Sequence, residues 1–393
     1  MKLLMVVAAV LMGAITFVPK TAAADQSPLN APWSKKMQEL YKTLSELLTD
    51  VTSEKRFSDP ANKYRIENET AHLASLAHDL KNTTISPDAD PTVPLVAALL
   101  AQETKRAVLE LKKDNRGYAR NILRTVPSYC IACHTRNSSG PQFAKLPFEP
   151  TSASLTPVER GEFFAATRQF DRAQKEFIQV VQDPKAAASY NFDWEKAVHQ
   201  SLSIAVRVKK DANQANEIIQ AVLNMKTAPV SIQQDAQVWK TSVQDWQAES
   251  HHPFTTEEGL YAEALRLMAK AKDTQKYPMD RTADILYLRA SAVTHDLLQS
   301  APQGTHAEEA LLLAGVSYEV LSPLKTEDLH EFYYEACIRR APHSSIGDLC
   351  YQKYEQSVFF GYSGSGGSDI PKDIQQKLLE LRTLSRLTPQ IKQ

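Results

Sequence analysis

Glycine is scarce in this chain, with 12 residues among 393, and alternating runs of β-branched residues are hard to find. Alanine, leucine, glutamine, glutamate and lysine are plentiful instead. These proportions predict an all-α fold. The formal net charge is −1, so no basic surface indicates nucleic-acid binding. After Asp25 no apolar run reaches the length of about twenty residues that spans a bilayer. We therefore expect neither a nucleic-acid partner nor a membrane span in the mature chain.

The chain also lacks the patterns of common enzyme classes. No nucleotide-binding fingerprint, nucleophile elbow or paired-carboxylate spacing rises above chance. Residues 361–367 hold four of the glycines, but neither a preceding strand nor a Lys-Ser/Thr end accompanies them. This stretch is therefore interpreted as a flexible loop before a terminal helix over residues 371–387, and no enzymatic activity is predicted.

The first residues have the composition of a secretory signal. Lys2 precedes an apolar run over residues 3–18, and Ala22 to Ala24 form an Ala-x-Ala cleavage site. Such a signal would direct export of the protein, to the periplasm in a bacterium. Cleavage near Ala24 would then remove residues 1–24. The alternative is an uncleaved anchor, for which the apolar run is short.

The sharpest chemical signal is the sequence Cys-Ile-Ala-Cys-His at residues 130–134. A Cys-x-x-Cys-His motif is typical of c-type haem attachment. On a helix, Cys130 and Cys133 lie on one face, where both thiols can reach the vinyl groups along one porphyrin edge. His134 is then the proximal iron ligand. The sequence predicts one covalently attached haem c.

Two other chemistries use similar residues. A closed zinc site needs a fourth ligand at matching spacing, and no second Cys pair or His-x3-5-His lies near Cys130. A thioredoxin-like redox pair sits in a βαβ context, whereas these flanks have helical periodicity. Haem attachment is the interpretation that also agrees with export.

Residues 30–137 have the apolar spacing of four helices joined by short connections. We expect helices from a cap at Ser34, from about Asn62 to Asn82, from 91–94 onward, and from about Tyr118 to Cys133. Pro127 falls inside the fourth and predicts a bend or restart there. Four such helices are typical of an up-down-up-down bundle.

With Cys130-Ile131-Ala132-Cys133-His134 at the end of the fourth helix, this region resembles the class II cytochromes c of the c′ and c556 type. The resemblance also rests on Val126 and Met37. It implies a haem-binding four-helix bundle, and it implies that Met37 is the sixth iron ligand, as in six-coordinate members. The alternatives are that Met37 fills the core and the sixth position is open.

Arginines are the candidates to contact the haem propionates, because guanidinium matches carboxylate geometry. Arg136 is the preferred one, and Arg116, Arg120 and Arg124 are expected to be largely solvated. The two histidines of the second helix, His72 and His78, are interpreted as surface or core-edge residues. His251 and His252, beside Pro253, are interpreted as an exposed turn.

Residues 138–156 are rich in proline and small polar residues, which indicates a linker or an ordered loop that wraps a surface. Pro157 then begins a helix capped by Thr156. In residues 157–393, the order Gly161, Phe164, Phe170, Ala173, Phe177 and Pro184 resembles tetratricopeptide-like repeats. That resemblance implies an α-solenoid with a groove for a partner.

Cys337 and Cys350 remain after the motif takes two of the four cysteines. They bracket the turn at Ala341-Pro342, one on each arm of a predicted helical hairpin. In an oxidising compartment we expect them to form a disulfide.

These features together predict an exported monohaem cytochrome that transfers electrons and docks on a protein redox partner or a membrane respiratory complex through its helical repeats. A haem-based gas or redox sensor, or a haem-bearing scaffold, remains the alternative.

Overall fold

The computed structural model describes residues 31–83, 92–136, 155–189, 192–249, 254–278, 280–321 and 329–386. Within these ranges the secondary structure is helical apart from one two-stranded hairpin, as predicted for an all-α chain. In the same ranges, no helix has the length and apolar character needed to cross a membrane. The predicted signal sequence, most of the predicted linker, and His251 and His252 lie outside the described residues.

In the described residues before the predicted linker there are five α-helices. They are α1 (Ala31–Val51), α2 (Glu54–Ser58), α3 (Lys63–Lys81), α4 (Val93–Lys112) and α5 (Arg116–His134). The short α2 and the 3-10 turn at Pro60–Asn62 were not predicted. The helix α1 begins three residues before the predicted cap at Ser34, because proline is accepted in a first helical turn.

Of the two outcomes predicted at Pro127, a bend or a restart, the restart is wrong. The helix α5 is continuous from Arg116 to His134, with buried Pro127 inside it. A proline removes one backbone hydrogen bond, whereas the neighbouring bonds and the burial of Val126 and Ile131 remain to hold the helix together.

The long helices of this region alternate in direction. Lys36 near the start of α1 lies 3.8 Å from Asp79 near the end of α3, and Lys63 at the start of α3 lies 3.4 Å from Asp114, just after α4. Arg120 near the start of α5 donates to the carbonyl of Val51, the last residue of α1, at 2.8 Å. The start of α1 is thereby brought to the end of α5, where His134 lies.

Helices also fill the described residues after 155. They are α6 (Pro157–Ala166), α7 (Phe170–Val181), α8 (Pro184–Ala188), α9 (Phe192–Ser203), α10 (Ala212–Asn224), α11 (Val230–Ala248), α12 (Glu257–Thr274), α13 (Asp284–Ser300), α14 (Ala307–Leu321), α15 (Leu329–Arg340), α16 (Ser345–Gly361) and α17 (Lys372–Ser385). A π-helical turn, Ile204–Val208, extends α9. From α12 to α17, each helix packs against the next along the chain.

The hairpin of α6 and α7 shows why the sequence has glycine and aromatic residues at fixed spacing. Thr156 caps α6 as predicted. In turn, the backbone amide of Thr156 donates to the carboxylate of Glu159 at 2.9 Å. A Cβ atom at Gly161 would lie 2.5 Å from the ring of Phe177. Only glycine allows the two helices to approach this closely.

The hydrophobic core combines helices that precede residues 137–154 with helices that follow them. One buried cluster combines residues of α1 to α5 with residues of α6 to α13. Val96 of α4 belongs to a second cluster, together with Tyr318, Tyr333 and Cys350 of the C-terminal helices. The helices on the two sides of this segment therefore pack directly against each other.

Cys337 in α15 and Cys350 in α16 lie on the two arms of one helical hairpin. Their sulfur atoms are 1.97 Å apart, which is the length of a disulfide bond, and both residues are fully buried. A bridge closing a loop of this size stabilises the fold by about 3 kcal/mol in the chain-entropy picture.

The glycine-rich stretch at 361–367, predicted to be a flexible loop, contains most of a short β-hairpin. Ser363 pairs with Ser368, and Gly364 pairs with Gly367, in a short antiparallel hairpin, β1 (Ser363–Gly364) and β2 (Gly367–Ser368). Gly367 has φ +105°, a conformation that glycine adopts at little energetic cost.

The carboxyl group of Asp284 makes stability depend on pH. It is 1% exposed, and burial raises its pKa to about 7, although Arg281 Nη2 lies 3.2 Å from Oδ2. Burial outweighs the ion pair with Arg281, and the nearby carboxylates of Asp235 and Asp280 raise the pKa of Asp284 further. An unfolded aspartate titrates near pH 3.9, so the folded state binds the extra proton between about pH 4 and pH 7.

We expect the free energy of unfolding to fall as pH rises from 4 to 7, by at most about 1.4 kcal/mol per unit from this group. Asp284→Asn should flatten the profile and be as stable as wild type or more so at pH 8. Urea titrations across this range measure the effect. Asp171→Asn, at an exposed carboxylate, is the control and should keep the wild-type slope. An unchanged slope in Asp284→Asn would contradict the assignment.

Candidate cofactor site

Met37, Cys130 and His134 line one cavity. Its empty volume is about 680 Å³, part of it open to solvent. Only about 60 Å³ of it admits the centre of a water-sized sphere, so the enclosed part of the cavity is narrow. The rest of the wall is almost wholly apolar: Leu40, Tyr41, Leu44, Leu73, Leu80, Val93, Val96, Ala97, Leu100, Val126, Tyr129, Ala166 and Thr167.

The antiparallel packing explains why distant residues meet here. Met37 lies in the second turn of α1, and Cys130 and His134 lie in the last turns of α5. Met37 is partly buried and packs against the core beside the cavity. The three residues span almost a hundred positions of sequence, so only the direction of the helices brings them together.

Cys130 is partly exposed, and its sulfur lies 3.8 Å from the carbonyl oxygen of Val126, one turn earlier. The backbone of Cys133 lies one turn later in α5, and its side chain is outside the described part of the structure. In the described part, no three His, Cys, Asp or Glu side chains come together as a metal site would need. The zinc interpretation therefore gains no ligand from the described residues of neighbouring helices.

The imidazole of His134 is hydrogen-bonded to a residue that follows the segment 137–154 in the chain. Its Nδ1 is hydrogen-bonded to the carbonyl oxygen of Ala166, the last residue of α6. A carbonyl oxygen only accepts, so Nδ1 carries the proton and Nε2 carries the lone pair. This orientation is the usual one for a histidine whose Nε2 binds a metal.

The surroundings keep His134 neutral. Burial is the main cause that lowers its pKa to about 4, and the positive charges of Arg168 and Arg136 lower it further, against the hydrogen bond to Ala166. His134 is only partly buried because it lines the cavity, but protein atoms lie close around it. A neutral imidazole is the form that binds a metal.

Two buried guanidinium groups flank this histidine. Arg136 is 4% exposed, donates to Thr92 Oγ1, and lies 5.4 Å from the centre of the Tyr333 ring. Arg168 is 6% exposed and donates from Nη1 to the carbonyl oxygen of His134 at 3.0 Å. Burial lowers the pKa of Arg168 to about 10, so it stays charged at neutral pH.

Sequence reasoning selected Arg136 but missed Arg168 and Ala166. They lie more than thirty residues after His134, and no periodicity connects the two stretches. One signal was present: Arg168 follows the end of α6, at a position where helices usually carry glycine.

The other candidate arginines lie elsewhere. Arg116 donates to the carbonyl of Phe57, and Arg120 donates to the carbonyls of Val51 and Thr52 at 2.8 and 3.0 Å. Both are partly buried, so the expectation that they are solvated is wrong. At 1.5 Å per residue, Arg120 is about 21 Å along α5 from His134.

Arg124 is about half exposed and lies 3.8 Å from Glu159. His72 and His78 are exposed on α3, as predicted. None of these three side chains lines the cavity.

Comparisons with known proteins found no family model, no curated protein and no solved structure that matches this chain. The functional argument therefore depends on the chemistry of the site itself.

Proposed function

We propose that the protein is an exported c-type cytochrome that holds one haem in the cavity between α1 and α5 and transfers electrons. The observation that carries the proposal is the convergence of Met37, Cys130 and His134 on one apolar cavity, with His134 oriented by Ala166. In this proposal α1, α3, α4 and α5 form a bundle of the class II cytochrome type.

The residues of the cavity suit a haem group. The thiols of Cys130 and Cys133 would attach it, His134 Nε2 would bind the iron, and the apolar wall would exclude water from the ring. The guanidinium groups of Arg136 and Arg168 do not line the cavity, but both are buried beside His134 and would place positive charge near the haem. When bound, the haem supplies a one-electron redox centre, whose potential depends on axial ligands, hydrogen bonds and burial.

The helices from α6 to α17 would form a solenoid-like surface that selects the redox partner, a protein or a membrane respiratory complex. Their contact with His134 through Ala166 and Arg168 supports a combined role, because the partner-binding region then also contributes to the redox site. Export follows from the signal-like start of the chain and agrees with the disulfide between Cys337 and Cys350.

The test is covalent haem content. The full chain, produced with its own first residues in a bacterium that exports and matures c-type cytochromes, should give a pyridine haemochrome spectrum of one haem per chain. Cys130→Ser combined with Cys133→Ser should abolish haem staining in denaturing gels, because no thioether bond can form.

The second cysteine pair provides the matched control. Cys337→Ser with Cys350→Ser removes the same number of cysteines and should keep full haem staining, at a lower melting temperature. A wild-type chain without covalent haem, or staining that survives loss of Cys130 and Cys133, would refute the proposal.

A further inference from the structure

The turn between α6 and α7 has an unusual residue at its centre. Arg168 N donates to Ala165 O at 3.1 Å, and Gln169 N donates to Phe164 O at 2.8 Å, which together form a Schellman ending of α6. Arg168 occupies the left-handed position of this motif with φ +58°. Glycine is the usual residue there, since any other side chain strains the backbone in this conformation. Asp114, Lys210 and His343 have the same backbone conformation, so the role of Arg168 depends on what its side chain contacts.

The contacts of the Arg168 side chain indicate its role. The guanidinium packs 5.4 Å from the centre of the Phe170 ring and donates to the carbonyl oxygen of His134 at 3.0 Å. The same turn supplies the Ala166 carbonyl that holds His134 Nδ1. One short segment thus delivers both a hydrogen-bond acceptor and a buried positive charge to the proposed proximal ligand.

We propose that Arg168 is a positioning residue of the haem site whose buried charge raises the reduction potential of the iron bound by His134. The inference rests on the proposed function. A fixed positive charge disfavours the ferric state, which carries one more positive charge than the ferrous state. Because Arg168 is buried, salt in the solvent screens this interaction only weakly.

Spectroelectrochemical titration of the purified holoprotein tests the proposal. Arg168→Gly keeps the backbone conformation and removes the charge. We expect the ferrous-to-ferric equilibrium to shift at least tenfold toward the ferric form, which is a potential lower by 59 mV or more for one electron. The decrease should persist in high salt.

Three further variants separate charge from structure. Lys210→Gly is the matched control, because Lys210 also has a left-handed backbone, with φ +51°, and pairs with Asp296 away from the cavity. It should leave the potential unchanged. Arg168→Met keeps side-chain bulk and should lower the potential as glycine does, while Arg168→Lys should restore most of the wild-type value.

A potential that does not move in either Arg168→Gly or Arg168→Met, with haem attached and the protein folded, would overturn the role of Arg168 alone. An equal decrease in Arg168→Lys and Arg168→Met would also overturn it, since packing rather than charge would then set the potential. A wild-type chain without haem would overturn the proposed function together with this inference.

Discussion

If Met37 binds the iron of the proposed haem, replacing it with leucine should convert a low-spin haem into a high-spin one that binds carbon monoxide. Leucine has a similar volume and keeps the apolar wall, so the expected loss of stability is below about 1.5 kcal/mol. It has no sulfur to offer the iron, so the sixth position opens. The potential should fall as well, because a Met/His ligand pair raises it.

Optical spectra of both redox states, recorded with and without carbon monoxide, measure this change. The ferric wild type should show a Met-to-iron charge-transfer band that Met37→Leu lacks. Met225→Leu is the matched control, at a methionine that is also partly buried against the core but does not line the cavity. It should retain the wild-type spectrum.

A wild-type protein that is already high-spin and binds carbon monoxide would refute the role of Met37 as ligand. It would favour the alternative function, a haem-based gas sensor, with the later helices as its output surface. Loss of the band in both methionine variants would instead indicate a general loosening of the fold.

Replacing Arg56 and Arg65 together should strongly lower the free energy of unfolding. Both guanidinium groups pair with Asp50, whose side chain is fully buried at the end of α1: Arg56 Nη2 lies 3.0 Å from Oδ1, and Arg65 Nη2 donates to Oδ1 at 2.9 Å. Arg56→Gln with Arg65→Gln leaves a buried carboxylate without its counter-charges. We expect the free energy of unfolding to fall by about 3–5 kcal/mol at pH 7.

The carboxylate itself supplies the diagnostic control. Adding Asp50→Asn to the two arginine variants should recover most of the loss, because an amide needs no counter-charge. Asp50→Asn alone should have a smaller effect, since Arg56 and Arg65 are nearly half exposed and water can hydrate them.

Urea unfolding at constant salt gives the free energies. Lys63→Gln, at an exposed ion pair with Asp114, should change stability by less than about 1 kcal/mol. If the triple variant is no more stable than the double variant, the buried carboxylate is not the source of the loss.

Helix positions followed from local periodicity. The predicted segment from about Asn62 to Asn82 corresponds to α3 at Lys63–Lys81, because its apolar residues recur at helical spacing and face the core. Pro127 and residues 361–367 show where local rules fail. Tertiary packing keeps α5 helical on both sides of Pro127. The glycines that indicate a loop also permit a short β-hairpin.

The sequence by itself determined the helical fold class, the approximate bounds of the long helices and the residues capable of covalent haem chemistry, because these depend on composition and on spacing within one or two turns. Only the tertiary structure decided what surrounds His134. Met37 lines the same cavity as His134 because of helix direction, and Ala166 and Arg168 contact His134 because helices on the two sides of residues 137–154 pack together. Contacts between residues more than thirty positions apart depend on how whole helices dock, and no local pattern in the chain encodes that docking.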